Sequence, residues 1–284
     1  MTAGETATFG AALERGARSL DGELRGDAAL LMAFASGRSR AWLLAHAGDA
    51  IDARAVERFE ALCARRGAGV PIAYLTGSAW FCGREFAVDE RVLIPRPETE
   101  HLVEDAVRVL RGRADVRALD VGTGSGAIAC TLAAELPAAR VDATDLSAAA
   151  LDVARANARR LDVAGRVSFF EGDLTAPLDG RAYDVVVANL PYVPSADVAP
   201  RPNPVSYEPR GALDGGPDGL AVYRRLVPEL PAALRPGGVA LLEAAPPTMD
   251  ALLGLVSAAF PSGWTTVERD YGGRGRYVKV AASD

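Results

Sequence analysis

Asp120-Val121-Gly122-Thr123-Gly124-Ser125-Gly126 follows the short apolar run Ala118-Leu119 and precedes a stretch in which Ile128, Leu132 and Leu136 recur at helical spacing. The order is strand, glycine-rich turn, helix. Further along the chain the same alternation continues. Val141-Asp142-Ala143-Thr144 reads as a second strand, Ser147 as the cap of a helix ending near Leu161, and Val167-Ser168-Phe169-Phe170 as a third strand. Tyr183 to Ala188 is a fourth strand. A fifth, Val239 to Leu242, follows a helix expected to stop at Pro236-Gly237-Gly238, and Thr265–Arg269 and Arg276–Val280 close the chain as a strand pair. Strands alternating with helices predict an α/β fold with a parallel sheet covered on both faces. No internal repeat is visible.

Upstream, the character changes. To about Ser78 there is no strand alternation. Ala28 to Phe34 and Val56, Phe59, Leu62 and Cys63 fall at helical spacing, with Gly37, Gly48 and Gly67–Gly69 between runs. A small helical bundle is expected, with Arg54, Arg58, Arg65 and Arg66 on a solvated face. Trp80 to Ile94 carries the strand-type residues Phe81, Phe86, Val88, Val92 and Ile94, with turns at Gly83 and Asp89-Glu90, and reads as a β-hairpin linker. Pro95 and Pro97 end it, and Thr99 is expected to cap a helix through His101, Leu102 and Val107. The expected domains are 1–79 (helical), 80–96 (linker) and 97–284 (α/β).

Composition narrows the function. With 49% hydrophobic and 24% charged residues the chain is globular, not disordered. A net charge of −6 argues against non-specific duplex binding, which needs a basic face. The three cysteines, Cys63, Cys82 and Cys130, form no Cys-x-x-Cys pair, and His46 and His101 are the only histidines. That excludes a disulfide framework and a zinc ribbon, and no metal is expected. No apolar run reaches the length of a membrane span and residues 1–10 lack a basic cluster, so a cytoplasmic protein is expected.

The glycine loop lets backbone approach a ligand closely and presents free helix N–H groups to it, although a tight turn without a ligand has the same letters. Its match to Gly-x-Gly-x-x-Gly/Ala is partial, with Ala127 in the last place. Asp145, about 20 residues on, ends the second strand where an acid can hold ribose hydroxyls; a turn carboxylate is the plainer reading. Nucleotide dehydrogenases and S-adenosylmethionine enzymes both use such an acid. Asp120 before the glycines resembles the methyltransferase pattern, in which an acid there lies by the methionine end of the cofactor. Asp173, with Leu174, would lie by the adenine, or serve as a loop turn.

Asn189-Leu190-Pro191-Tyr192 directly follows the fourth strand and so opens into the same crevice as the glycine loop. It resembles the (Asn/Asp/Ser)-Pro-Pro-(Tyr/Phe/Trp) signature of methyltransferases acting on planar nitrogens. An amide nitrogen is a poor nucleophile with two N–H donors. The Asn189 side-chain carbonyl and the Leu190 backbone carbonyl can accept both and stabilise positive charge as it develops on nitrogen. Pro191 stiffens the turn and Tyr192 can stack on the planar group. No strong base is needed before transfer.

The resemblance becomes specific in Phe59–Arg66, Pro71–Gly77, Val92–Glu100 (Val-Leu-Ile-Pro-Arg-Pro-Glu-Thr-Glu), Tyr207–Arg210 and Ala212–Leu220. This ordered series, from about Phe59 to Glu243, resembles the HemK-type (PrmC) peptide chain release factor glutamine N5-methyltransferases. The resemblance implies a class I, Rossmann-like, seven-stranded S-adenosylmethionine-dependent methyltransferase domain behind a helical domain and hairpin linker. It implies S-adenosyl-L-methionine as cofactor, S-adenosyl-L-homocysteine as product, and release factors as protein substrates recognised by the N-terminal bundle. A monomer acting on the glutamine of a Gly-Gly-Gln loop is expected, with no membrane or direct nucleic-acid partner. The family's roles fall on Gly122, Thr123, Gly124, Ser125 and Gly126 for the cofactor loop, Asp120 and Asp145, Asp173 and Leu174, and Asn189 to Tyr192. Arg96, Glu98 and Glu208 match blocks bordering the cleft, or are structural ion pairs.

Two departures stand out. Leu190 replaces the usual Pro, keeping the carbonyl but adding an N–H. Glu243-Ala244-Ala245-Pro246-Pro247 replaces the usual Glu-Ile-Gly, at a place read as peripheral to the chemistry. Rival readings are a glutamine methyltransferase of a large-subunit ribosomal protein, a nucleic-acid adenine N6-methyltransferase, a nucleotide-binding oxidoreductase, which leaves Asn189–Tyr192 unexplained, and a non-enzymatic binding module.

Overall fold

The computed structural model describes residues 7–200, 203–270 and 272–283. The chain divides into two compact units. One is the chain to Gly77 together with Pro200–Tyr207; the other is Ser78–Ala199 together with the chain from Glu208.

The first unit is helical: α1 (Phe9–Ser19), α2 (Ala28–Ser36), α3 (Arg40–Ala45), α4 (Ala53–Gly67) and α5 (Ile72–Thr76). Thr8, Ser39 and Asp52 accept first-turn N–H groups at the starts of α1, α3 and α4. Leu20, Leu31, Met32, Phe59 and Cys63 fill its core. Gly16 lets α1 close on α4, since a Cβ there would lie 2.2 Å from Phe59 Cζ. Arg54, Arg58 and Arg65 are exposed, but Arg66 corrects the expected solvated face. It is buried, donating to Asp27 Oδ2 at 2.7 Å and the Val70 carbonyl at 3.1 Å. The Tyr207 hydroxyl donates to the Ala68 carbonyl at 2.6 Å.

The second unit opens with a hairpin, β1 (Ser78–Phe81) and β2 (Arg84–Ala87), turning at Cys82-Gly83 with φ +48° and +70°. The hairpin is shorter than the sequence suggests. Val88 to Ile94 are not strand; the Val92 N–H turns back to the Asp89 carbonyl. Helix α6 (Pro97–Leu110) begins with proline at its first position, which corrects Thr99 as its cap. Thr99 lies inside the first turn and its hydroxyl is engaged elsewhere, as described below.

The remaining strands form one seven-stranded sheet: β3 (Arg117–Val121), β4 (Arg140–Asp145), β5 (Val167–Glu171), β6 (Tyr183–Ala188), β7 (Leu234–Glu243), β8 (Trp264–Arg269) and β9 (Gly275–Ala281). Their order is β5-β4-β3-β6-β7-β9-β8, and β9 alone runs against its neighbours. Strand β7 starts at Leu234 and runs through Pro236-Gly237-Gly238, so the helix expected to reach Pro236 ends at Ala233 instead. Tyr183 pairs with Leu234 and the register shifts before Val185, absorbing the glycines into an irregular strand start.

Alternate residues of each strand enter two cores. Ala118, Val141, Ala143, Val185, Val187 and Leu241 pack with Phe81, Phe86 and residues of α6, α7 (Ala127–Glu135) and α8 (Ala148–Arg160). Leu119, Val121, Val186, Ala240, Leu242 and Val278 pack with Tyr223 and Leu226 of α9 (Ala221–Leu226), Leu230 of α10 (Leu230–Ala233), and Met249, Leu252 and Val256 of α11 (Met249–Ala259). Each buried valine, leucine or methionine among them contributes roughly 1.5–3 kcal/mol. Lys279, the sole lysine, joins β9 to α6 by donating to buried Asp105 at 2.9 Å. Among the described residues no helix is long and apolar enough to cross a membrane.

Candidate active site

Between β3 and β6 the chain changes winding direction, so the loops leaving those strands diverge and leave a crevice at their carboxyl ends. A cavity of about 400 Å³ lies there. Its wall takes in Gly122 to Ser125, Asp145 to Ser147, Gly172 to Leu174 and Asn189 to Pro191, with Val92, Leu93, Pro95 and Arg96 contributing from the irregular segment after the hairpin.

The glycine loop is held from below. The N–H groups of Gly122 and Thr123 both donate to the Thr144 carbonyl at 2.9 Å. Gly122 has φ +74°, and a Cβ there would stand 2.7 Å from Leu190 Cδ2. Glycine is therefore required both by the backbone and by the Asn-Leu-Pro-Tyr segment packed against it. Asp145 Oδ2 accepts the Gly124 N–H at 2.8 Å and Oδ1 accepts that of Ser147 at 2.9 Å. Burial raises the Asp145 proton affinity, opposed by these backbone donors. Asp145 lines the cavity, and a carboxylate oxygen that accepts one N–H can accept a second hydrogen. The Ser147 cap of α8 is present, with its hydroxyl accepting the Ala150 N–H at 3.2 Å.

Three of the residues expected at the site, Asp120, Gly126 and Tyr192, are not part of the cavity wall. Asp120 is fully buried beneath the loop, its Oδ2 accepting from the Thr123 hydroxyl at 2.6 Å and the Ala129 N–H at 3.1 Å. Its Oδ1 has no partner, and burial pushes its carboxyl up to about 7. It shapes the loop and the start of α7 from inside. Asp173 and Leu174 do line the cavity; Asp173 pairs with Arg225, and Leu174 holds φ +49°, a strained value for a side-chain-bearing residue.

The fourth strand delivers Asn189 to the wall opposite Asp145. Asn189 Nδ2 donates to Thr99 Oγ1 at 3.1 Å, and among the described residues nothing donates to its side-chain oxygen. The extra N–H of Leu190 is satisfied: it donates to the Tyr223 hydroxyl at 3.3 Å, and that hydroxyl donates to the Glu243 carbonyl. Tyr192 sends its hydroxyl toward Glu243 Oε1 at 3.4 Å. Burial pushes the Glu243 carboxyl up to about 7, opposed by the Thr99 and Tyr192 hydroxyls, while its Oε2 completes no hydrogen bond. The end of β7 thus lies against the Asn189 turn, through the hydroxyls of Tyr192 and Tyr223.

Arg96 and Glu208 form an ion pair, with Arg96 Nη2 at 2.9 and 2.7 Å from the two carboxylate oxygens. Glu208 is buried, which pushes its carboxyl up to about 7 against the pull of Arg96. Glu98 approaches Arg276 at 3.6 Å. The sequence pointed to Thr99 only as a helix cap and to Glu243 only as a departure at a strand end, and gave no sign of Tyr223 or Asn157. That fully buried side chain accepts the Ala87 N–H at 2.8 Å and donates to the Ala87 and Ser125 carbonyls at 2.9 Å. It ties the hairpin to the glycine loop.

This sheet order, with a glycine loop and an acid at one end of the switch point and Asn-Leu-Pro-Tyr at the other, is the architecture of a Rossmann-like methyltransferase. The PrmC N-terminal domain family matches residues 4–77 and the methyltransferase small domain family matches residues 100–201. A release factor glutamine methyltransferase of Moorella thermoacetica is 44% identical over 250 residues, covering 88% of each chain. One from Burkholderia pseudomallei is 45% identical over 259 residues, covering 87% of this chain and 91% of that one. Among solved structures, the hMettl16 catalytic domain shares the fold at TM-score 0.51 and 21% identity, covering 70% of this chain and 74% of that one. A methyltransferase from Pyrococcus furiosus does so at TM-score 0.50 and 20% identity, covering 70% and 89%. The chain belongs to the release factor glutamine methyltransferase family.

Proposed function

We propose that this chain methylates the side-chain amide nitrogen, N5, of the glutamine in the Gly-Gly-Gln motif of peptide chain release factors, using S-adenosyl-L-methionine. The observation that carries the reading is that Asn189, whose side-chain oxygen has no donor among the described residues, and the loop Gly122–Ser125 wall one cavity. The residues fit the cofactor. Asp145 offers lone pairs to ribose hydroxyls, the loop Gly122–Ser125 forms part of the cavity wall, and Asp173 with Leu174 offers a polar edge and an apolar surface for adenine. When bound, the cofactor supplies an electrophilic methyl group.

The protein's part is to hold the acceptor nitrogen. The Asn189 side-chain carbonyl and the Leu190 backbone carbonyl accept the two amide hydrogens. They fix the plane of the glutamine amide and favour the positive charge that grows on nitrogen. Pro191 limits the turn that aims both carbonyls. Tyr192, its hydroxyl toward Glu243 and its ring packed on the core beneath the sheet, braces the turn from behind. The product nitrogen is acidic enough to release its proton without a dedicated strong base. The helical unit, which matches the PrmC N-terminal domain family, is assigned to recognition of the release factor.

The test is incubation with methyl-labelled cofactor and a bacterial release factor, beside a copy whose Gly-Gly-Gln glutamine is alanine. Label on the first alone is expected, and peptide mass analysis places it on that side chain. Asn189→Ala is expected to lower transfer about 10²–10³-fold while cofactor binding stays. Label on a ribosomal protein instead would overturn the substrate assignment.

A further inference from the structure

The block Ala212–Leu220 has no part in the reading above, yet it lies along the chain that leaves the Asn189 turn. The peptide joining Leu190 to Pro191 carries one of the two carbonyls assigned to the acceptor. Its nitrogen belongs to proline and has no hydrogen. That peptide has no N–H with which to tie itself down, so its flanks must aim it. Upstream, the Leu190 N–H is held by the Tyr223 hydroxyl. Downstream, the chain is held by Leu213–Gly219. The Val193 N–H donates to the Leu213 carbonyl at 3.0 Å, the Gly215 N–H to the Val193 carbonyl at 2.8 Å, and the Ser195 N–H to the Gly216 carbonyl at 2.8 Å. The approach is close enough to demand glycine twice. A Cβ on Gly215 would stand 2.6 Å from the Pro191 carbonyl oxygen, and one on Gly219, where φ is +79°, 2.4 Å from that of Tyr192. Asp214 sits in the middle of this ladder. Its Oδ1 accepts the Ser195 hydroxyl at 2.5 Å and the Gly216 N–H at 3.0 Å, one donor from each side. Its Oδ2 accepts Nε and Nη2 of Arg210 at 3.1 and 2.9 Å.

We infer that Asp214 is a positioning residue for methyl transfer: by pinning Ser195 to Gly216 it keeps Leu213–Gly219 as a splint along the Asn189–Tyr192 turn, and the splint aims the Leu190 carbonyl at the acceptor amide. The inference rests on the role given to that carbonyl above. Asp214 is not part of the cavity wall and has no need to touch the substrate. Its arginine partner links the splint to the wall itself, because Arg210 stands between Pro209 and Gly211, which line the cavity. A charged carboxylate that gathers four donors from three places in the chain holds them more firmly than separate neutral bonds would.

The experiment has two arms, one independent of the methyl acceptor. In the first, backbone amide exchange is followed in the intact, cofactor-bound chain. Asp214→Ala is expected to speed exchange of the Val193, Ser195 and Gly215 amides about tenfold or more while those of β3 and β4 stay protected. Asp214→Asn, whose remaining oxygen can serve Ser195 and Gly216, is expected to restore protection. In the second arm kcat is measured per cofactor-binding site, so that unfolded protein does not count. Asp214→Ala is expected to lower kcat by about 10- to 100-fold, with KM for the release factor and Kd for the cofactor within twofold, and Asp214→Asn to recover most of the loss. Ser195→Ala, which keeps the carboxylate and removes one of its donors, is expected to lower kcat in the same way but less, and it decides the matter if Asp214→Ala does not fold. Unaltered exchange, an unaltered kcat, a loss carried by KM, or an asparagine variant as impaired as alanine would overturn the inference. If the wild-type protein labels no release factor, the substrate reading fails, and the exchange arm alone decides whether Asp214 holds the turn.

Discussion

The backbone N–H of Leu190 donates to the hydroxyl of Tyr223, 3.3 Å away, and that hydroxyl in turn donates to the carbonyl of Glu243. One buried oxygen thereby joins the turn after β6 to the end of β7. It also explains how the turn tolerates leucine where the family usually has a proline that carries no N–H.

Tyr223→Phe is expected to strand the Leu190 N–H and cost about 1–3 kcal/mol. Leu190→Pro removes that donor but also the side chain beneath Gly122, and is expected to destabilise by a few kcal/mol while transfer persists through the retained carbonyl. Urea denaturation of both single variants and the double variant checks this. The double variant should be more stable than the sum of the two losses predicts, because the N–H that Tyr223→Phe strands is absent from it.

Asp145→Ala is expected to weaken cofactor binding about 10- to 100-fold, the effect of losing a charged acceptor at roughly 1.5–3 kcal/mol. Calorimetric titration reads it directly. Unchanged affinity would reduce Asp145 to its bonds with Gly124 and Ser147.

Asn157→Ala leaves the Ala87 N–H and the Ala87 and Ser125 carbonyls without their shared partner. A loss of about 1–3 kcal/mol in unfolding free energy is expected, accompanied by weaker cofactor binding because Ser125 is in the glycine loop. A variant as stable as wild type would show that water replaces the side chain.

Glu243 gives a pH dependence. Its carboxyl is held at about 7, above the ordinary 4.5, by burial and by nearby Glu98, against Thr99, Tyr192 and Arg276. A raised value means the neutral form suits the folded state. The associated stability is full below about 4.5 and is lost as pH rises through about 7, a change on the order of 3 kcal/mol. Thermal unfolding from pH 5 to 8 should show a fall in Tm that is smaller in Glu243→Gln. Asp120 and Glu208, raised in the same direction, maintain part of the fall.

The parts legible in sequence were those written locally. Ala118–Val121 with its glycines, the Ser147 cap and Tyr183–Ala188 each carry their own apolar run or turn chemistry, so strand, loop and helix followed within a residue or two. Asn189 was legible because it sits at a strand end. Thr99 was misread because a threonine near a helix start resembles a cap; its partner lies 90 residues away. Arg66 looked like one more surface arginine until Asp27, 39 residues earlier, neutralised it in the core. Tyr223 and Asn157 show nothing unusual in their own neighbourhoods, and Glu243 only a departure at a strand end. Their roles exist only once helices and strands far apart in the chain have met. The start of β7 was hidden by Pro236-Gly237-Gly238, turn residues that the pairing of Tyr183 with Leu234 carries into the sheet.

The helical unit takes in Pro200–Tyr207, and the Tyr207 hydroxyl reaches a carbonyl 139 residues earlier. During synthesis the five helices leave the ribosome before the sheet, yet the segment that completes their unit emerges only after β3 to β6 have been made. The unit is therefore finished late, and a fragment cut after Gly77 would lack one of its own pieces. Expression of the helices alone would report on an incomplete fold, because their unit is completed by a segment that follows β6.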